Sequence, residues 1–126
     1  MTITHVDPPT LRSSPAFAQG VIVEAGRTLY IGGQNGTDRA GIMATGVVEQ
    51  SAQAARNVIA VLNAAGAHLD DLVKLNIYIV HGEDLEAAYA ASLDVWGARR
   101  AAVTVLVVAG LARPDALVEI DGVAAL

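Results

Sequence analysis

Two carboxylates near the C-terminal end have the spacing in this chain that most suggests chemistry. Residues 117–123, LVEIDGV, alternate in polarity, so Glu119 and Asp121 share one face of a strand while Val118 and Ile120 share the other. A carboxylate set in a β-rich segment is costly to bury without partners. Glu119 therefore has two readings: a solvent-facing strand position, or a carboxylate that handles a proton or a water. The apolar run 103–108 precedes it across a short proline loop and reads as a buried strand. Paired glycines, Gly32 and Gly33, can let a backbone approach a ligand, but more simply they end a strand. No helix starts directly after them, which excludes a phosphate loop. His5, His68 and His81 are scattered over a lead-in and two loops and read as surface residues, with no ligand spacing for a metal. Nucleophile-elbow, P-loop and dinucleotide fingerprints are all missing.

The composition narrows the classes further. The 126 residues suffice for one domain with a real core and are too few for two. At 53% apolar residues, with little charge, part of the surface is expected to be covered by further copies of the chain. The net charge is −5 and Lys74 is the only lysine, which argues against binding a nucleic-acid backbone. Without cysteine there are no disulfides, thiolate catalysis or Cys-based zinc sites. No signal-peptide pattern is visible at the N-terminus, and the longest apolar run, 101–112, is too short to span a bilayer. A cytoplasmic protein, with neither nucleic acid nor membrane as partner, is the expectation.

These residues must be positioned by a small set of elements. Residues 1–13 read as an extended lead-in to a single domain, 1–126. Phe17 to Glu24 is expected as a strand, Ala25-Gly26 as a turn, and Arg27 to Gly33 as the returning hairpin partner. Residues 34–46 read as a surface loop. Val47 to Ala65 reads as a helix, with Val48, Ala52, Ala55, Ile59 and Leu62 inward and Gln50, Gln53, Arg56 and Asn57 solvated; Gly66 stops it. Leu72 to Val80 reads as a strand, and Glu83 to Trp96 as a second helix with Leu85, Tyr89, Ser92 or Leu93, and Trp96 on its inner face. The order ββαβαββ predicts an α+β layer, one mixed sheet with two helices on one face.

Four segments together resemble the Rid or YjgF-like family, the reactive-intermediate (RidA-like) imine deaminases. They are SPAFAQGVIVEAGRTLYIGGQ (14–34), EQSAQAARNVIAVLNAAGAHLDDLVKLNIYI (49–79), LEAAYAASLDVWG (85–97) and VTVLVVAGLARPDALVEIDGVA (103–124), nearly everything past residue 13. The resemblance implies a chorismate-mutase-like fold and a homotrimer with small-molecule sites between subunits. It also implies hydrolysis of a reactive enamine or imine without a cofactor. In deaminating members, an arginine in a P-A-R-[ST] segment clamps the substrate carboxylate and a last-strand glutamate positions water.

Carried over residue by residue, Glu119 matches the water-positioning glutamate, and Gly33 and Gln34 match the ligand-facing S-G-Q segment. Phe17 falls where tyrosine is common and Tyr89 where asparagine is common. A-A-V-T, 101–104, stands in place of P-A-R-[ST], which makes Val103 the replacement for the arginine and Thr104 its neighbour in the site. Phe17, Gly33, Gln34, Tyr89, Val103 and Thr104 are thus the implied substrate-binding set. Two functions remain open: a deaminase-like hydrolase with an altered, more apolar pocket, or a non-catalytic trimer that binds a small molecule. Ribonuclease activity, attached to some relatives, fits poorly with an acidic chain.

Overall fold

A computed structural model describes residues 2–24 and 26–126. The elements are β1 (Ile3–Val6), β2 (Gly20–Val23), β3 (Thr28–Gln34), α1 (Gly46–Ala64), β4 (Leu72–Val80), α2 (Leu85–Trp96), β5 (Ala102–Val108) and β6 (Val118–Ala125). The α+β class is as expected: a four-stranded mixed sheet ordered β3-β6-β4-β5, with only β4 and β5 parallel, joined through α2. Both helices pack on one face of that sheet. Strand alternation builds the core, with Leu75, Ile79, Val118, Ile120 and Ala124 directed at Val58 and Leu62 of α1.

Helix α1 ends where glycine allows it, at Gly66 with φ 73°. Helix α2 starts at Leu85 rather than Glu83, because the Asp84 side chain caps it by accepting from the Ala87 amide at 3.0 Å.

The hairpin expected from residues 17–33 does not form. Strand β2 pairs with β1, in the segment expected to be a loose lead-in, and β3 pairs with β6. Ala25, placed in the expected turn, lies outside the described residues. Strand propensity marks both segments but cannot choose their partners. Here the choice is made by long-range polar contacts: Asp7 accepts from the Gln19 amide at 3.1 Å and also pairs with Arg100, which follows α2. These contacts hold the Asp7 carboxyl below its ordinary value of 3.8, the Gln19 bond first and Arg100 second. The sign follows from that depression. Whatever Asp7 contributes is fully present above 3.8 and is lost as pH falls through its lower folded value. Amide exchange at Gln19 is therefore expected to accelerate in acid before exchange at core amides such as Ile120 does, and Asp7→Asn should remove the difference.

The inner face of α1 also departs from the expectation. Val48 is exposed, whereas Gln50 is buried at 2%. Its amide donates to the carbonyls of Ala44 and Asp115, both at 3.0 Å, and its oxygen accepts from the Leu117 amide at 2.7 Å. Gln50 thus ties the 34–46 loop and the approach to β6 onto the helix. Gly36 is required there, since a Cβ would come within 2.5 Å of the Gln50 backbone. On α2, Ser92 and Trp96 are buried as expected, but Leu85 and Tyr89 sit at the rim and Ala88 and Ala91 take their places in the core. The run 103–108 is not a buried strand but an edge. Val105, Leu106 and Val107 are each about half exposed, at 51%, 49% and 52%.

Candidate functional site

The open face of the sheet, away from the helices, carries Glu119 and Asp121 of β6 beside Tyr78, Asn76 and Lys74 of β4. Asp121 is committed: it accepts from Asn76 Nδ2 at 2.7 Å and from the Tyr78 phenol. That bond to Asp121, followed by desolvation and the charges of Asp121 and Glu119, raises the phenol pKa above 10.0, so Tyr78 stays protonated. Lys74 Nζ donates to Thr104 Oγ1 of β5 at 2.7 Å.

Glu119 is held differently. Its Oε1 accepts a single hydrogen bond from Asn35 Nδ2 at 3.2 Å, and the same amide reaches the Val118 carbonyl at 3.3 Å. Its Oε2 lies over Gly33, where an added Cβ would stand only 2.6 Å from it. Strand β3 makes room by a bulge: Ile31 pairs with Gly122 and Gln34 with Ile120, leaving one extra residue on the β3 side. The loop after β3 is pinned by Asn57 of α1, which donates to the carbonyls of Asn35 and Thr37, both at 2.9 Å. The result is a half-buried carboxylate with one oxygen fixed by an amide and the other against bare backbone. Such a group can orient a water on the open face.

The implied site residues fall into two sets within one chain. Glu119, Gly33 and Thr104 belong to the open face. Gln34 lies at the bulge, its amide turned back to the Gly32 carbonyl at 3.1 Å. Phe17, Tyr89 and Val103 line a cavity of about 150 Å³ on the helix side, with Leu75, Ser92 and Trp96. Val103 pairs with Leu75, a core position, so its side chain points away from Glu119. Thr104, one residue on, pairs with Asn76 and faces Glu119's side. A one-residue change along a strand reverses the face. The residue that occupies the open face is therefore Thr104, and Val103 does not reach Glu119's side within one chain. Thr104 stands two strands across and two residues along from Glu119, roughly 12 Å between Cα atoms.

The other arginines near the chain end are committed elsewhere. Arg99 binds Asp70 at 2.6 Å and the Trp96 carbonyl at 2.7 Å, and Arg113 forks onto Asp115 at 2.9 and 3.1 Å. Sequence reasoning passed over Asn35 and Arg12. The Arg12 guanidinium lies 5.4 Å over the Phe17 ring, a cation–π contact that no local pattern signals. Among the described residues, no group of three or more His, Asp or Glu side chains could hold a metal ion, and no helix is long and apolar enough to cross a membrane.

Residues 10–126 match the family described as Endoribonuclease L-PSP. The chain belongs to that family, the Rid or YjgF-like proteins. Among Rid-family structures, YyfB of Yersinia pestis, a protein of unknown function, superposes with a TM-score of 0.88 at 32% identity and covers 100% of both chains. RidA of an Antarctic Psychrobacter superposes at 0.74 and 25% identity, covering 90% of this chain and 97% of its own. A 2-iminobutanoate/2-iminopropanoate deaminase of Dermatophagoides farinae is 36% identical over 89 residues, 65% of this chain and 70% of the relative. The Rid fold thus has the Glu119 carboxylate on its open sheet face and an apolar rim, Phe17 and Tyr89, on its helix side.

Proposed function

We propose that this Rid protein is a hydrolase of a small reactive imine or enamine, with Glu119 holding the attacking water. The observation that carries this reading is the Glu119 carboxylate, fixed by Asn35 on one oxygen and open beside Gly33 on the other. Water adds to the imine carbon, the C–N bond breaks, and a carbonyl product and ammonia leave. The imine carbon is already electrophilic, so a modest base suffices. The names of the deaminase relatives support the reaction class.

The same reading places the site between copies. Phe17 and Tyr89 lie on the opposite side of the sheet from Glu119, so they join it only if the helix-side rim of one chain meets the open face of the next. Such a head-to-tail contact closes into a ring, and three copies form the homotrimer. The exposed β5 edge and Tyr30, 78% exposed, are apolar surface that such packing would cover. The expected mass in solution is three times the 13.0 kDa chain, measured by sedimentation equilibrium.

Carboxylate recognition in this cleft is altered. Val103 stands beside Phe17 and Tyr89 where the resemblance implies a guanidinium fork, and that apolar rim favours a neutral or larger substrate. Ammonia release from 2-iminobutanoate generated in situ, by wild type and by Glu119→Gln, tests the hydrolase. The register adds a sharper comparison. Val103→Arg is expected to raise kcat/KM for 2-iminobutanoate by about tenfold or more, the worth of a charge-assisted bidentate pair, because Val103 lies beside Phe17 and Tyr89 on the rim that meets Glu119 of the next copy. Thr104→Arg, on the open face and off that rim, is expected to give no comparable gain. The reverse ranking would refute the assignment of Val103 to the cleft.

A further inference from the structure

A separate cavity of about 300 Å³ is bounded by β1, the turn Leu69–Asp71 and the link 98–101 between α2 and β5. It shares only Arg99 with the cavity of Phe17, Tyr89 and Val103, and nothing with the Glu119 face. Two consecutive arginines, Arg99 and Arg100, line it with His5 and Asp70. Ile3, Leu69 and Leu72 supply an apolar side. Each guanidinium is anchored by one carboxylate and keeps donors to spare. Arg99 donates from Nε to the Trp96 carbonyl and from Nη1 to Asp70 Oδ1, which leaves Nη2 without an acceptor among the described residues. Arg100 donates from Nη2 to Asp7 and from Nη1 to His5 Nδ1, which leaves its Nε. A guanidinium can only donate, so His5 Nδ1 accepts and the ring keeps Nε2–H as a further donor. Asp70 is the counterpart. Its Oδ2 accepts nothing among the described residues, and its side chain is 89% exposed, so its pair with Arg99 is a weak surface contact that a ligand can share.

We propose that this cavity binds a small zwitterion, an α-amino acid with an aliphatic side chain, its carboxylate held by Arg99, Arg100 and the His5 ring and its ammonium by Asp70. The lining sets the class. Two cations stand there beside one carboxylate with an unused oxygen. A plain anion would meet the guanidiniums but also the Asp70 charge, and a plain amine would meet Asp70 but also both guanidiniums. A molecule with both charges on one carbon answers both signs, and a guanidinium suits its planar carboxylate. The size agrees. An apolar cavity of ~150 Å³ accommodates benzene, so one about twice as large takes an amino acid with a branched side chain against Ile3, Leu69 and Leu72. The cavity is apart from the reacting centre, and the site stands whether or not Glu119 is catalytic.

The test is a titration of the isotope-labelled full chain, in its native assembly, followed by amide NMR shifts. The probes are L-leucine, 4-methylpentanoate, which lacks the ammonium, 3-methylbutylamine, which lacks the carboxylate, and inorganic phosphate. L-Leucine is expected to bind saturably, with shifts centred on His5, Asp70 and Ala98, and each of the other three at least ten times more weakly. Asp70→Asn, at an exposed position, should weaken L-leucine about tenfold and leave 4-methylpentanoate no weaker, which isolates the ammonium contact. Equal affinity of the variant and wild type for L-leucine would overturn the role of Asp70. Binding of 4-methylpentanoate or phosphate as tight as that of L-leucine would overturn the ligand class. Shifts centred on Phe17 and Tyr89 instead, or no saturable shifts at all, would overturn the site itself.

Discussion

Glu119→Gln is expected to lower ammonia release from 2-iminobutanoate by about 10²- to 10⁴-fold, the usual worth of a positioned general base, while leaving the fold and assembly unchanged. The substitution is well matched to the site. A glutamine carbonyl can still accept from Asn35 Nδ2, and the side chain keeps its shape over Gly33. Only the negative charge and the ability to take a proton from water are removed. Asp121→Asn is the informative control, since Asp121 is engaged by Asn76 and Tyr78 and faces no open space of its own. Its effect on turnover should be much smaller. The measurement is initial rate of ammonia formation, corrected for spontaneous hydrolysis of the imine. Turnover by Glu119→Gln equal to wild type would exclude Glu119 as the base. A wild-type rate no faster than the spontaneous reaction, with 2-iminobutanoate and with a neutral imine alike, would favour a binding protein of the same fold.

The second large effect concerns stability. Gln50→Leu should cost about 3–5 kcal/mol, as three hydrogen bonds are lost and the carbonyls of Ala44 and Asp115 and the Leu117 amide are left buried and unpaired. Leucine suits a helix and fills a similar volume, so propensity and packing contribute little to the loss. Gln53, one turn on, bonds only to Asn57 and Arg56 at the helix surface. Gln53→Leu should change stability by no more than ~0.5 kcal/mol. Chemical denaturation at one fixed protein concentration separates the two, with concentration held because assembly itself stabilises. Similar costs for both variants would mean that the solvated-face reading of the helix was sufficient and the Gln50 clamp is inert.

The contrast between these glutamines shows how far the sequence could be read. Both occupy polar positions in a helix whose apolar spacing was plain, and nothing local distinguishes them. Gln50 is set apart by residues 65 and 67 positions later, which fold back to meet its amide. The same limit applies to Val103 and Thr104. The face of a strand changes with every residue, and only the pairing of Leu75 with Val103 puts Val103 on the helix side with Phe17 and Tyr89 and leaves Thr104 on the open face. Arg12 and Asn35 were invisible for a related reason. An arginine in a proline-rich lead-in and an asparagine in a loop acquire roles only through Phe17 and Glu119, the latter 84 residues away.

What the sequence by itself determined about this protein is its α+β class, the extent of α1, β4 and β6 to within two residues, the acidic and cysteine-free character, and the placement of Glu119 on a strand beside apolar neighbours. These follow from periodicity, capping and composition, which act over a few residues. Only the tertiary structure decided which strands pair, that the run 103–108 is an edge, that Gln50 and Ser51 are buried, and that the implied site residues divide between two faces of one sheet. These are consequences of long-range register, where a single step along a strand exchanges core for open face. The Glu119 carboxylate gains a defined partner in Asn35 and a glycine floor in Gly33, while Val103 falls on the other side of the sheet with Phe17 and Tyr89.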